Sequence, residues 1–110
     1  MREITCSTIT DAIKKMCIEA ATILPQDVEK ALSQKHDEED SALAKKTLQV
    51  LMDNAKLAQE KQMPICQDTG MAFVYVTMGQ EVHITGGSLN EAIQEGVRQG
   101  YTEGYLRKSV

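Results

Sequence analysis

The stretch Pro64-Ile65-Cys66-Gln67-Asp68-Thr69-Gly70-Met71-Ala72-Phe73-Val74-Tyr75-Val76-Thr77-Met78 carries the chain from helix to sheet. Before it, Leu43, Thr47, Val50, Leu51, Asn54, Leu57 and Ala58 recur at the three- and four-residue spacing of one helix face. Asp40 or Ser41 is placed to cap that helix, which runs to about Lys61. Within the stretch, Pro64 biases Met63 away from helical angles and Gly70 allows torsions a side chain would forbid. From 71 to 78 the residues are β-branched, aromatic or otherwise apolar without helical spacing, which predicts a largely buried strand. The loop at 64–70 is therefore expected to be held at both ends by regular structure, where functional groups commonly sit.

Working outward, residues 8–24 place Ile9, Ile13, Met16, Cys17, Ala20, Ile23 and Leu24 on one helical stripe, with Thr8 or Thr10 as the cap and Asp11 in the first turn. Pro25 ends that pattern and opens a shorter helix over 26–32. Residues 81–85 alternate and predict a second strand, pairing with the first, on which His83 faces away from Val82 and Ile84. Ser88-Leu89-Asn90-Glu91 is a capping box, and a helix over 89–104 follows with Ala92, Ile93, Val97 and Tyr101 or Gly100 inward. The expected architecture is a mixed α/β (α+β) fold: a mainly helical first half, then two short strands and a C-terminal helix. Residues 1–110 are expected to form a single domain that is part of a larger one, because an aromatic, two aliphatics and two bases arrive as the last helix ends.

Composition narrows the function classes. The chain has 110 residues, 42% hydrophobic and 25% charged, with one Phe, three Tyr and no Trp, so the core must be aliphatic. A net charge of −4 and an isoelectric point near 5.1 leave no electrostatic footprint for nucleic acid or an anionic membrane. No apolar run approaches the length of a membrane span, and no secretory signal opens the chain. Three cysteines in such a chain suggest reduced thiols and a cytoplasmic location.

Chemistry concentrates at Cys66-Gln67-Asp68-Thr69, a thiol, an amide, a carboxylate and a hydroxyl in consecutive positions. A thiolate is a soft ligand for an iron–sulfur cluster or zinc, an adjacent Asp accepts protons, and Gln hydrogen-bonds anions. The competing reading makes Asp-Thr-Gly a turn and Cys66 a small buried apolar residue. Cys17 sits in an apolar stripe and reads as a core thiol, and Cys6 has no assigned role. His83 reads as structural, and the acids among 36–41 read as a solvated charge run. Gly86-Gly87 before a helix is an anion-binding arrangement, but the Lys-Ser/Thr of a phosphate loop is absent.

Pro64-Ile65-Cys66-Gln67-Asp68-Thr69-Gly70, a strand, Gly86-Gly87-Ser88-Leu89 and Gly104-Tyr105-Leu106-Arg107-Lys108-Ser109, in that order, resemble the amino-terminal part of the iron–sulfur (class I) fumarate hydratase family, the alpha subunit in its two-subunit form. The tartrate dehydratase alpha subunit shares the Cys-Gln-Asp-Thr-Gly core, and comes second because the Gly-Tyr-Leu-Arg-Lys-Ser ending is more like the fumarase branch. The resemblance implies a hydro-lyase that interconverts fumarate and malate on a [4Fe-4S] cluster held by three cysteines. Cys66 would be the one cluster ligand this chain supplies. Gln67, Asp68 and Arg107 would bind the dicarboxylic acid substrate, with Asp68 also moving a proton. It further implies a beta subunit or C-terminal domain as partner, a homo-oligomer, and a chain inactive by itself. The alternatives are a non-catalytic helical assembly domain using the stripes of the first and third helices and, more weakly, a zinc protein without Cys-x-x-Cys spacing.

Overall fold

The structure is a computed structural model and describes residues 1–66 and 70–108. In chain order it runs β1 (Arg2–Thr5), α1 (Cys6–Thr22), α2 (Gln26–Glu38), α3 (Ala42–Lys61), β2 (Val82–Thr85) and α4 (Leu89–Glu103), the mixed α/β composition expected. The described residues fall into two compact units, one of Met1–Glu19 and Asp68–Val110, the other Ala20–Gln67.

The first unit is built on β1, β2 and the pairing of α1 with α4. The strands are parallel, with Arg2 opposite Val82 and Thr5 opposite Thr85. Thr5 leaves the strand directly into the helix and its hydroxyl accepts the Thr8 backbone N–H at 3.3 Å, so the cap is Thr5 and not Thr8 or Thr10. Ser88 caps α4 as expected, accepting from the Glu91 N–H at 3.4 Å. Gly86, at a φ of 88°, makes the sharp turn between β2 and α4. Beside it Cys6 donates its thiol to the Ser88 carbonyl at 3.7 Å.

Helices α1 and α4 approach closely because α4 and its C-cap present Ala92, Gly96, Gly100 and Gly104 at four-residue intervals. A Cβ at Gly96 would lie 2.6 Å from the Ile13 Cβ and 2.8 Å from the Thr10 carbonyl oxygen, and one at Gly100 would lie 2.9 Å from the Cys17 Cβ. The seam is completed by Thr10, whose hydroxyl donates to the Ala92 carbonyl at 2.9 Å, and by a Lys14–Glu103 ion pair. The α1 residues at this seam are Thr10, Ile13, Lys14, Cys17 and Ile18, while Met16 and Ile23 of the expected stripe are exposed.

In the second unit α2 and α3 pack as a helical hairpin across Glu39, Asp40 and Ser41. Ser41 caps α3 by accepting the Ala44 N–H at 3.3 Å. Helix α2 extends past Leu32 to Glu38, so His36, Asp37 and Glu38 belong to its last turn and not to a loop. There Gln34 and Lys35 reach back to Glu38, and these bonds hold its carboxyl below the usual range, the Gln34 bond most. The apolar stripe expected on α3 is largely exposed at Leu43, Val50, Leu51 and Leu57, and only Ala58 is buried.

Residues 71–78 are not a strand. They carry no regular structure, and every one is exposed, from Val74 at 38% to Tyr75 at 92%. The strand beside β2 is β1, from the opposite end of the chain, so the expected pairing of 71–78 with 81–85 does not occur. Strand propensity is a preference for a pleated, half-buried surface, and without a sheet edge to join it leaves the backbone irregular.

Candidate active site

Two helix ends mount the candidate residues. At the end of α3, Gln62 takes the left-handed conformation at a φ of 52°, and the Met63 N–H returns to the Ala58 carbonyl at 3.0 Å. This closes the helix with a six-to-one hydrogen bond and turns the chain away from its axis. The Ile65 N–H then bonds the Ala21 carbonyl at 2.8 Å, and the Cys66 N–H bonds the Asn54 side-chain oxygen at 2.9 Å. The Cys66 backbone is thus tied to α3, while its thiol is exposed. The reading of Cys66 as a buried apolar residue is not what the fold shows. Gln67 and Asp68 lie outside the described residues.

Helix α4 ends in the same way. Tyr105 is left-handed at a φ of 56°, and the Leu106 N–H returns to the Tyr101 carbonyl at 3.0 Å. Leu106 is buried at 8% exposure, and this anchor directs the next two residues outward. Arg107 and Lys108 line an open cleft of about 260 Å³ together with Gly70, Met71, Ala72, Val97 and Tyr101. Lys108 donates to the Thr102 hydroxyl at 3.3 Å. The cleft joins Gly70, the last residue of the Cys-Gln-Asp-Thr-Gly motif, to Arg107 of the C-terminal motif, within one unit. Arg107 and Lys108 bring positive charge to a lining that is otherwise mostly apolar, a combination compatible with a small anion that has a carbon skeleton.

The other sequence candidates fall elsewhere. His83 is exposed on β2, and Cys17 is half-buried at the α1–α4 seam, where burial pushes its thiol upward. Among the described residues no three of His, Cys, Asp or Glu gather as a metal-binding group. Sequence reasoning assigned no role to Lys108, although its adjacency to Arg107 marked it. It also counted Asn54 as part of an apolar stripe, although an amide there was the sign of a polar task.

The thiols are expected to differ in reactivity. With iodoacetamide at pH 8, Cys66 should alkylate roughly tenfold or more faster than Cys17, since Cys66 is exposed while burial of Cys17 both shields its sulfur and disfavours the reactive thiolate. Peptide mass spectrometry over a time course reads both rates, and equal rates would contradict the placement of Cys17.

The comparisons with known proteins bear on the family. The family described as Fumarate hydratase (Fumerase) matches residues 10–110. A Methanocaldococcus jannaschii protein with the provisional name L(+)-tartrate dehydratase subunit alpha is 37% identical over 103 residues, which are 93% of this chain and 36% of the relative. A Geobacillus stearothermophilus protein provisionally named fumarate hydratase class I is 32% identical over 98 residues, 88% of this chain and 19% of the relative. The Escherichia coli K12 L(+)-tartrate dehydratase subunit alpha is 27% identical over 102 residues, 93% of this chain and 33% of the relative. The chain thus spans about a third of the length of the tartrate dehydratase relatives and about a fifth of the fumarate hydratase. With residues 10–110 matched by the family, the chain belongs to the fumarate hydratase (Fumerase) family.

Proposed function

We propose that this chain is the amino-terminal part of the catalytic subunit of an iron–sulfur hydro-lyase, acting on fumarate and malate, in the cytoplasm. The observation that carries the proposal is the cleft shared by Gly70 and Arg107, because it joins the ends of two motifs distant in sequence around an anion-sized space. The cleft's cations favour a carboxylate, and Arg107 offers one a planar pair of donors, which Lys108 supplements with a point charge. Gln67 would hold the substrate and Asp68 would move the proton at the carbon beside the carboxylate, a transfer that needs a positioned base.

A [4Fe-4S] cluster fits the donor this chain presents. Cys66 is exposed, and its backbone is fixed by Asn54, so a soft thiolate stands on a rigid mount. With one such donor here, the remaining two thiolates belong to the rest of the catalytic assembly. When bound, the cluster supplies an iron that polarises the substrate's hydroxyl and carboxylate oxygens. The names of the alpha-subunit relatives support a beta-type partner, and the assembly would be a homo-oligomer of the pair. Three free thiols, and no helix among the described residues long and apolar enough to cross a membrane, support the location.

Two of the relatives bear a tartrate dehydratase name, which favours L(+)-tartrate as the second substrate reading. The test is turnover by this chain assembled with the remainder of the subunit and its partner, reconstituted with iron and sulfide. Loss of fumarate absorbance in the ultraviolet supports the proposal, and Arg107→Met should raise KM for fumarate about 10- to 100-fold, the worth of charge-assisted hydrogen bonds to a carboxylate. Turnover of tartrate alone replaces the substrate, and turnover of neither overturns the hydro-lyase reading.

A further inference from the structure

The segment leading from α3 to Cys66 is pinned at three backbone N–H groups: Met63 donates to the Ala58 carbonyl at 3.0 Å, Ile65 to the Ala21 carbonyl at 2.8 Å and Cys66 to the Asn54 side-chain oxygen at 2.9 Å. The first two acceptors are main-chain groups, which any sequence supplies. The third is a side chain, so the residue type at position 54 decides whether Cys66 is held. Asn54 is half-buried in α3, one helical turn before Ala58. It takes a place in the stripe of Val50, Leu51, Leu57 and Ala58 where leucine or alanine would be the better helix former. Nor does burial demand the bond, because Cys66 is exposed and water would satisfy its N–H. What the bond adds is a fixed main chain beneath the thiol.

We propose that Asn54 is a positioning residue: its amide oxygen holds the Cys66 main chain so that the thiolate is presented to an iron–sulfur cluster from a loop already in place. The inference rests on the proposed role of Cys66 as a ligand, and it adds a residue that acts only through Cys66. A residue that orients a metal ligand by hydrogen bonding changes how tightly the metal is kept without supplying a donor of its own. A loop left free must be ordered whenever its thiolate closes on iron, at a cost in conformational entropy, and the same freedom favours its departure. The helix supplies the stiffness for this task, since Asn54 and the Ala58 carbonyl stand on consecutive turns of α3 and grip the segment at two points.

The experiment takes the enzyme assembled with the remainder of the subunit and its partner, reconstituted anaerobically, as wild type, Asn54→Leu, Asn54→Asp and Cys66→Ser, and reads the rate at which each cluster gives up iron to a ferrous chelator. Leucine fills the position and favours the helix but accepts no hydrogen bond, whereas aspartate keeps both the shape and the acceptor, so the pair separates holding Cys66 from packing. Asn54→Leu should release iron about 10- to 100-fold faster than wild type with unchanged helical circular dichroism, the usual effect of losing a residue that orients a metal ligand. Asn54→Asp should stay within about threefold of wild type, because a carboxylate oxygen accepts the same N–H. A failure of Asn54→Leu to take up a cluster that Asn54→Asp retains supports the proposal equally. Equal release from wild type and Asn54→Leu, or equally fast release from Asn54→Leu and Asn54→Asp, overturns it while leaving Cys66 a ligand. A full cluster in Cys66→Ser overturns the ligand reading and this proposal with it.

Discussion

Gly96→Val is expected to destabilise the unit carrying the cleft by about 3 kcal/mol, at the upper end of the cost of overpacking a tight interior. The Cβ alone would stand 2.6 Å from the Ile13 Cβ and 2.8 Å from the Thr10 carbonyl oxygen. The second of these is backbone and cannot swing aside as a flexible side chain would. Relief requires α1 and α4 to separate, which breaks the Thr10–Ala92 hydrogen bond and the Lys14–Glu103 pair together. A valine in a helix recovers only a few tenths of a kcal/mol of propensity relative to glycine, too little to offset the separation. Gly79→Ala is the control, since the nearest atom to its Cβ is Val82 Cγ2 at an ordinary 3.9 Å. Thermal denaturation followed by circular dichroism should show a fall of roughly 10 °C or more for Gly96→Val and little change for Gly79→Ala. Equal melting temperatures for wild type and Gly96→Val would contradict the seam.

The helices were legible because their signals are local. Ser41 and Ser88 announced helix starts, and the structure finds each hydroxyl accepting the N–H three residues on. The start of α1 was misplaced because Thr5, Thr8 and Thr10 offer the same chemistry within six residues, and only the end of β1 decides among them. The strands fared differently. Residues 81–85 read correctly to within a residue, whereas β1 hides in a four-residue segment with one half-buried side chain, visible only through its partner. Residues 71–78 had the stronger strand signal and form none, because pairing is a property of two segments and composition belongs to one.

The candidate site was legible in part and for a different reason. Cys66 and Arg107 were singled out as candidates by motif, but nothing local showed that left-handed residues at Gln62 and Tyr105 would turn the chain into each of them. Neither position is glycine, so the usual mark of such a turn was missing. Strain of this kind persists where surrounding packing dictates it, and here buried Leu106 and the Asn54 amide do so.

The second large effect is expected at Cys66. Cys66→Ser preserves side-chain size and leaves the backbone bond to Asn54 intact, so folding should be unchanged. It replaces a soft sulfur donor by a hard hydroxyl that stays protonated near neutral pH, and iron–sulfur iron prefers thiolate. In the assembled enzyme, turnover should fall by about three orders of magnitude or more, in line with losses at groups that act together in a site. The most direct test is the iron and sulfide content of that assembly after anaerobic reconstitution, wild type against Cys66→Ser, with visible absorbance recorded on the same samples. A full cluster in the wild type and its loss in the variant, with matching circular dichroism, is the expected result. An identical cluster content and spectrum in both would show that the Cys66 thiol does not hold the iron.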